Sequence, residues 1–558
     1  MKVNFSIGLP SVIALHYFTV FPEYFVSISI LYVLIVIVLI TYSVYGLILQ
    51  KALSECIALI LLMTCYLIIN DDLIALNFVS FHNSIINDSL SYITKFLICF
   101  FSAIYFLLVS NSLKEQKLTS FEYLLIILFA VLGLMLMCSS NDLLTAYLSI
   151  ELSSLALYIL ASFKKSSSYS IESGLKYFIT GAVSSAFFLL GSSFIYAFSG
   201  SIYFNDFFYL LGKTGQDHPT VASHGTLYMI LGFLIPQFTN AINCGVNGWY
   251  YPELQHWLND DSSIFEPLDL SFVEMGLALI LFSLFIKLAC APFHAWSLDV
   301  YEGSPTSSSF FFAAITKLSI FVLLIRLCYI NIYTTLEGCQ FYCFWIGVLS
   351  IFVGSFGGLK QRKLKTLIAY SSITSMGYGV LALGTSTSIG IQMLFFHLVI
   401  YMISGLCTWS IILFLRLKTK ILTNKYNKEL CDLALLRKSN PALAFALSLT
   451  MFSIAGIPPL IGFLAKMGVF LSIIQQNFIA FAVASAIFSV IATFYYIRVI
   501  KVLYFENLLV GKLYYPIESE KTLLLSCLIF SLLLLFLNPS IIYILSYKIL
   551  PQSIQILN

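Results

Sequence analysis

Long apolar runs follow one another along almost the whole chain, and short polar stretches separate them. A helix that crosses a bilayer needs ~20 mostly apolar residues. Runs of that kind predict fourteen spanning helices, numbered here in chain order: 23–48, 53–70, 90–110, 120–138, 142–163, 171–198, 272–300, 307–329, 340–359, 364–383, 390–415, 441–473, 478–500 and 522–546. Proline interrupts the seventh and the twelfth.

The connections between these runs test the count independently. Those after odd-numbered predicted helices carry 19 Lys and Arg residues, whereas those after even-numbered ones carry a single one, Lys213. Basic residues concentrate in loops on the cytoplasmic side of a membrane, and a miscounted helix would scramble this alternation. The pattern therefore supports fourteen helices. It predicts that both termini face the intermembrane space or periplasm and that the basic loops face the matrix or cytoplasm.

The composition agrees with a bundle whose solvent is lipid. Hydrophobic residues make up 60% of the chain, charged residues 10%, and the mean hydropathy is +0.95. A soluble protein could not cover its surface with so few charges. The net charge of +3 gives no support for a nucleic-acid partner, and the 12 cysteines are scattered without the spacing of a metal site. We therefore predict an all-α, polytopic membrane protein.

A few charged residues remain inside the predicted spans, and they suggest a function. A charge at the centre of a spanning helix costs roughly 2.5–3.5 kcal/mol, so a polar path through the bundle is the default hypothesis. We expect three of the cations, near helix ends, to extend their charges to the interface: Lys95, Arg326 and Arg498. The others are candidates for the path: Glu151, Lys176, Lys287, Lys317 and Lys466.

Two of these lysines flank proline breaks. Pro292 follows Lys287 in helix 7, and Pro458-Pro459 precedes Lys466 in helix 12. Proline removes a backbone donor, so each helix should open locally, and open backbone at membrane depth must be buried or line water. Either break alone is compatible with a simple kink. Because the breaks lie five helices apart, helices 7 and 12 should run in opposite directions, as in transporters built from inverted repeats.

We interpret helices 4–8 and 9–13 as two inverted five-helix repeats. The predicted domains are 1–119 (helices 1–3), 120–329 (the first repeat), 340–503 (the second repeat) and 504–558 (helix 14). A polar, acidic outer insertion, 199–271, interrupts the first repeat. It either covers a neighbouring subunit or is an insertion without a role in the chemistry.

Several motifs resemble the antiporter-like membrane subunits of respiratory complex I, and among them the subunit 2 family. The resemblance covers roughly 20–545 apart from the insertion, and its most specific block is KLACAPFHAWSLDVYEGSP, 287–305. Further matching stretches are 147–158, 172–185, 369–378 and AGIPPLIGFLAK, 455–466. Where the family usually has proline in W-x-P-D this chain has Leu298, and where it commonly has histidine before Met-Gly-Tyr it has Ser375.

The resemblance implies roles for the candidate residues. Glu151 matches the carboxylate that pairs with the helix 7 lysine, here Lys287. Lys317 matches a relay lysine in helix 8, and Lys466 matches the helix 12 lysine toward the outlet. Lys176 and His294 match further members of a hydrated axis. His397, alone in helix 11, carries no such prediction.

The implied function is proton translocation coupled to NADH:ubiquinone oxidoreduction. In that case the chain holds no redox cofactor, and flavin, iron–sulfur clusters and quinone belong to partner subunits of the membrane arm and its extension, including sister antiporter-like subunits. No dinucleotide fingerprint, cysteine cluster or haem pattern is present in the sequence. Two alternatives stay open: a stand-alone multisubunit cation/proton antiporter, and a non-pumping scaffold subunit.

The residue usage bears on the compartment. The chain has 50 Phe and 34 Tyr, and only five of its 29 basic residues are Arg. The codons of Phe, Tyr and Lys are AT-rich, which favours an organellar genome. We therefore predict the mitochondrial inner membrane, with a bacterial plasma membrane as the alternative.

Overall fold

The computed structural model describes residues 20–41, 46–71, 78–116, 118, 120–204, 266–335, 337–415, 429–434, 436–506 and 517–548. Most of them lie in helices, and the letters a and b mark the two parts of a divided helix. The helices are α1 Phe21–Thr41, α2 Gly46–Asp71, α3 Ser89–Val109, α4 Glu122–Ser139, α5 Leu143–Ser162, α6 Ser168–Ser199, α7a Glu266–Leu288, α7b Ala295–Gly303, α8a Thr306–Ala314, α8b Thr316–Thr335, α9 Glu337–Leu359, α10 Leu364–Gly384, α11 Ser388–Phe414, α12a Pro441–Ala455, α12b Ile461–Gln475, α13 Ile479–Tyr504, α14 Ser519–Leu537 and α15 Ser540–Lys548.

Every predicted spanning helix corresponds to a helix, or to a divided helix, in this structure. Twelve stretches of the described residues are long and apolar enough to cross a membrane, and one of them combines α8a with the first part of α8b. The remaining two predicted helices are the seventh and the twelfth, which the structure divides into α7a and α7b and into α12a and α12b. The prediction of an all-α polytopic membrane protein is confirmed.

A short β-hairpin is the element that the sequence pattern did not predict. Its strands, β1 (Phe78–Ser80) and β2 (Ile85–Asn87), are antiparallel, with Phe78 opposite Asn87. The hairpin lies against the turn between α4 and α5, where the backbone N–H of Asn141 donates to Ser84 O (2.9 Å) and its Nδ2 donates to Asn83 O (2.9 Å). Strands of three residues leave no signal in a search for apolar runs of spanning length.

Both predicted helix breaks are present. Pro292 lies between α7a and α7b, and Pro458-Pro459 lies between α12a and α12b. At each break the backbone enters the left-handed region, with φ of 61° at Ala289 and 82° at Gly456. Glycine adopts this conformation readily, whereas alanine is strained there. The prediction that these prolines open the helices is confirmed.

The carbonyl groups released by the breaks accept hydrogen bonds from side chains. Trp296 Nε1 donates to Ile286 O at 3.0 Å, and Lys466 Nζ donates to Ala455 O at 2.8 Å. Backbone groups inside a membrane must find internal partners because lipid offers none. Lys466 and Trp296 therefore supply hydrogen bonds to backbone carbonyl groups at the two breaks.

A close glycine contact sets the distance between α6 and α7a. A Cβ on Gly191 would lie 2.5 Å from Gly276 O, and one on Gly276 would lie 2.8 Å from Gly191 O. Small residues let helix backbones approach closely in membranes. This crossing places α7a, and with it Lys287, directly beside α6.

Two charged residues do not behave as expected. We predicted that Lys95 and Arg326 extend to the interface, but both are buried. Lys95 on α3 forms a buried ion pair with Glu23 on α1. Arg326 Nη2 on α8b contacts Asp88 Oδ1 at 2.7 Å, and its Nε donates to Cys138 O at 3.2 Å. The prediction is wrong because an acidic partner satisfies each charge inside the bundle: Glu23 on α1 for Lys95, and Asp88 at the N-terminal cap of α3 for Arg326.

The third cation of that group lies at the surface. Arg498 on α13 is exposed, and its Nη1 donates to Leu359 O at 3.0 Å. The inverted relation between helices 4–8 and 9–13, and the domain division that rests on it, stay predictions. Most of the predicted insertion 199–271 lies outside the described residues.

The Glu23–Lys95 pair generates a stability prediction. Lys95→Met leaves the Glu23 carboxylate buried without its cation, and breaking a buried pair costs about 3–5 kcal/mol. We therefore expect a lower thermal midpoint for the detergent-purified chain. The double variant Glu23→Leu/Lys95→Met should recover most of the loss, since it removes both charges together.

Lys51 supplies the matched control. It forms an exposed pair with Glu55 at 3.7 Å, and such pairs contribute about 0–1 kcal/mol. Lys51→Met should therefore leave the midpoint nearly unchanged. A Lys95→Met protein as stable as the parent would contradict a stabilising role for the buried pair.

Candidate functional site

An internal cavity lies between α5, α6, the two parts of α7 and the two parts of α8. Its volume is about 50 Å³, and one water molecule needs roughly 10–15 Å³ of such space. The cavity therefore has room for a few waters. Both Lys287 and Lys317 line it, together with further polar side chains: Ser153, Ser154, Tyr158, Tyr177, Thr180, Ser184, Tyr301 and Thr316.

Lys287 lies in the last turn of α7a, directly before the break. Its Nζ is buried and has no hydrogen-bond partner among the described residues, and the same is true of Glu151 Oε1 on α5. The charge of the Glu151 carboxylate acts on Lys287, yet the two groups do not form a direct ion pair. Glu151 and Lys287, which the sequence predicted to pair, therefore interact electrostatically without forming an ion pair.

Lys317 lies on α8b, lines the same cavity and is buried. Its Nζ donates to Tyr401 Oη on α11 at 3.3 Å, and Tyr401 Oη donates to Ala313 O at 3.1 Å. The ammonium also lies 5.3 Å from the centre of the Tyr401 ring and 6.0 Å from that of Tyr301. Aromatic faces stabilise cations at such distances.

Lys466 lies on α12b, outside this cavity. Besides its bond to Ala455 O, its Nζ lies 5.4 Å from the centre of the Tyr378 ring on α10. The ring of Tyr378 is 5.9 Å from that of His397 on α11. The charge of Lys466 also acts on His397.

His397 on α11 lies between the group around Lys466 and Tyr401, the partner of Lys317. It is buried, and neither ring nitrogen has a hydrogen-bond partner among the described residues. It lies four residues before Tyr401, so both side chains lie on one face of α11, one turn apart. The structure thus places a series of ionisable groups from α5 through α7 and α8 to α11 and α12.

Two predicted site residues lie elsewhere. Lys176 on α6 is half exposed and pairs with Asp299 at 2.7 Å and with Glu172 at 2.8 Å. It lines an open cavity separate from that of Lys287. His294 precedes α7b and does not line the internal cavity, and its buried Nδ1 has no hydrogen-bond partner in the part of the chain that the structure describes. The roles of all the predicted site residues stay predictions.

Sequence reasoning missed Tyr401 and set His397 aside. Their spacing of four residues within an apolar helix was the available signal, because side chains at i and i+4 share a helix face. The structure also shows the surroundings of Leu298 and Ser375, the two departures from the family pattern. Leu298 packs against the core within α7b, and Ser375 Oγ donates to Ser372 O at 2.8 Å. No group of metal-binding side chains occurs among the described residues.

Comparison with known proteins shows the family. The family model described as "NADH:quinone oxidoreductase/Mrp antiporter, TM" matches residues 140–240 and 264–492. The chain is 34% identical to NADH-quinone oxidoreductase subunit N of Pelagibacter ubique, over 88% of this chain and 89% of that protein. The chain belongs to the NADH:quinone oxidoreductase/Mrp antiporter family. It is also 33% identical to NADH-ubiquinone oxidoreductase chain 2 of Marchantia polymorpha, over 84% of both.

Solved structures share the fold of the family. A chain of respiratory complex I from Thermus thermophilus matches with a TM-score of 0.69 and 22% identity, over 94% of this chain and 99% of that one. A chain of the Mrp complex from Dietzia matches with a TM-score of 0.70 and 16% identity, over 95% of this chain and 96% of that one. The fold is therefore common to both branches of the family and does not discriminate between them.

The unpartnered ammonium of Lys287 generates a second stability prediction. Because its burial is not compensated by a hydrogen bond, Lys287→Met should raise the free energy of unfolding by on the order of 1–3 kcal/mol. Thermal unfolding of the detergent-purified chain measures this. Lys466→Met is the control, since it removes a hydrogen bond together with the charge and should gain less. Destabilisation by Lys287→Met would show that this lysine has a structural role.

Proposed function

We propose that this chain is a proton-translocating subunit of the membrane arm of an NADH:quinone oxidoreductase, and that Lys287, Lys317 and Lys466 carry the proton in turn. One observation supports this most directly. Two buried amines, Lys287 and Lys317, line one cavity with room for water, and the first has no hydrogen-bond partner among the described residues. A scaffold would have no use for such a costly arrangement.

The first step is electrostatic. A desolvated amine releases its proton more readily, whereas a nearby carboxylate favours the charged form. The distance between Glu151 and Lys287 therefore controls how tightly Lys287 holds its proton. A tenfold change in proton affinity corresponds to about 1.4 kcal/mol, so a modest movement of either helix suffices to shift the proton into the cavity water.

The second step passes the proton beyond the cavity. Lys317 receives it from the cavity water, and the hydroxyl of Tyr401 is in direct contact with its Nζ. His397, one turn away on α11, and Lys466 continue the series toward α12. Lys176 is assigned to the water-accessible end of this path, where it lines the open cavity, and His294 to the helix break beside α7b.

The redox chemistry is assigned to other subunits. The names of the relatives describe oxidoreductases of NADH and a quinone, and we propose that flavin, iron–sulfur clusters and quinone are bound by partners of this chain. Sister antiporter-like subunits of the membrane arm are the proposed neighbours. The bacterial and plant relatives match with nearly equal identity, so the choice of the mitochondrial inner membrane over a bacterial plasma membrane stays a prediction.

The second candidate is a stand-alone cation/proton antiporter. The family model and the fold include that branch. The block that continues PFHAW as SLDVYEG favours the complex I branch. Proton movement that depends on NADH oxidation supports the first function, and proton movement driven by a sodium gradient supports the second.

Lys287→Met tests the proposed function in the native complex in sealed membrane vesicles. Because the first proton acceptor is lost, we expect the rate of NADH-driven proton pumping to fall about tenfold or more. Lys287→Arg should fail as well, since a guanidinium does not release its proton in proteins. Acidification of the vesicle lumen and NADH oxidation are recorded together.

Lys51→Met serves as the control because Lys51 is exposed and lies outside the cavity. It should leave both rates unchanged. If the Lys287→Met complex assembles and still pumps protons at the parental ratio to NADH oxidised, the proposed path is wrong.

A further inference from the structure

A second, larger cavity lies next to the cavity of Lys287 and Lys317. Its volume is about 680 Å³. It lies at the end of the bundle that carries the basic α5–α6 connection. We call this cavity the vestibule, and its lining includes Gln116, Ser173, Lys176, Asp299 and Glu302. Basic loops face the cytoplasm or matrix, which is the side from which a respiratory pump takes up protons.

The two cavities are lined by different parts of the same two helices. Along α6, Ser173 and Lys176 line the vestibule, whereas Tyr177 and Thr180 line the internal cavity. Along α7b, Trp296 and Tyr301 line the internal cavity, whereas Asp299 and Glu302 line the vestibule. None of the described residues lines both. On α6 the change from one cavity to the other therefore falls between Lys176 and Tyr177, and α7b turns different faces to the two cavities.

Two contacts between α6 and α7b lie where α6 changes from one cavity to the other. On the inner-cavity side, the rings of Tyr177 and Trp296 stack, with their centres 4.8 Å apart and their planes within 6°. On the vestibule side, Lys176 Nζ pairs with Asp299 Oδ2 at 2.7 Å. The stack and the ion pair follow each other directly, because Tyr177 is the next residue after Lys176.

The stack is held from the internal side. Trp296 Nε1 donates to Ile286 O, in the turn of α7a that carries Lys287. The Tyr177 ring also meets the edge of Tyr158 on α5, with centres 4.7 Å apart. The two apolar ring faces therefore form a dry layer on the internal-cavity side, directly beside the Lys176–Asp299 pair that lines the vestibule. A shift of α7b relative to α6 is enough to part it.

A second polar series leaves the vestibule at Gln116, and it leads away from Lys287. Gln116 Oε1 accepts a hydrogen bond from Ser307 Oγ at 2.9 Å, and Tyr123 Oη donates to that Oγ at 2.9 Å. This series continues to Tyr105, whose ring contacts Phe310. None of these residues lines the cavity of Lys287.

We propose that protons enter from the vestibule between α6 and α7b, and that the Tyr177–Trp296 stack is the gate to the internal cavity, with the Lys176–Asp299 pair holding it closed. The inference rests on the proposed function. The side chains of this pair are 44% and 53% exposed, and an ion pair so accessible to water is weak. It can therefore open and close repeatedly during turnover.

Chemical labelling tests the gate without reference to pumping. Thr180→Cys places a thiol in the internal cavity, and a small charged methanethiosulfonate is added to the native complex from the basic side of the membrane. Peptide mass spectrometry then reports modification at position 180 separately from that of the native cysteines, of which Cys56, Cys431 and Cys527 are exposed. We expect slow labelling with the stack intact and about tenfold faster labelling after Trp296→Ala, because the dry layer is gone.

Matched variants separate the stack from other effects. Tyr177→Phe keeps the ring and should label as slowly as the parent, whereas Tyr177→Ala should label fast and provides a second opening variant if Trp296→Ala does not assemble. Phe178→Ala removes the adjacent ring, which is 49% exposed on the outside of α6, and should have no effect. Asp299→Asn should accelerate labelling by about threefold, since it weakens the pair.

Proton pumping provides the second readout. In vesicles, Trp296→Ala and Tyr177→Ala should lower the number of protons pumped per NADH oxidised at least about twofold, because an ungated cavity lets protons return to the vestibule. If Lys287→Met stops pumping but both opening variants label slowly and pump normally, the gate is overturned and the proposed function stands. If Lys287→Met pumps normally, the proposed function fails, and fast labelling of the opening variants would still support the gate between the two cavities.

Discussion

The cost of an ionic charge inside a bundle solvated by lipid governs this structure. Five cations within the helix bundle meet that cost in several ways. Lys95 and Arg326 are neutralised by the carboxylates of Glu23 and Asp88, and Lys466 bonds to a freed carbonyl. Lys317 bonds to a tyrosine hydroxyl, and Lys287 has no hydrogen-bond partner among the described residues. These cations range from charges held in ion pairs to the ammonium of Lys287, which no described side chain holds. Lys287 and Lys317 line the same cavity.

The helix breaks make this series possible. An unbroken helix offers neither free acceptors nor space, because its carbonyl groups are bonded four residues on. At the two breaks, Ile286 O and Ala455 O accept bonds from Trp296 and Lys466. The strained backbone at Ala289 directly follows the turn of Lys287. Strain of this kind persists where the surrounding structure enforces it, and here it lies beside the least satisfied amine.

The contacts of a buried charge thus distinguish charges that stabilise the packing of helices from charges that are candidates for proton transfer. The Glu23–Lys95 pair joins α1 to α3, and the Asp88–Arg326 pair joins the N-terminal cap of α3 to α8b. Glu151 and Lys287 are arranged in the opposite way, close enough to interact and too far apart to pair. The aromatic stack between α6 and α7b then divides the water-accessible vestibule from the internal lysines, so that helix movement and proton access are linked.

The sequence alone determined the class of fold, the fourteen helices, the two breaks and the family, because apolar length, the alternation of basic loops and proline chemistry are local properties that lipid enforces directly. It also identified Glu151, Lys287, Lys317 and Lys466 as unusual, since a charge within an apolar run is visible without coordinates. Only the tertiary structure decided which charges are paired. The sequence placed Lys95 at the interface and Lys317 in the polar path, yet both are buried, one paired with Glu23 and the other bonded to Tyr401. Contacts between helices depend on how their faces pack, and that information is distributed over side chains far apart in the chain. The division of one polar region into a vestibule and an internal cavity has the same origin, because it depends on two rings, Tyr177 and Trp296, that come together only when α6 and α7b pack.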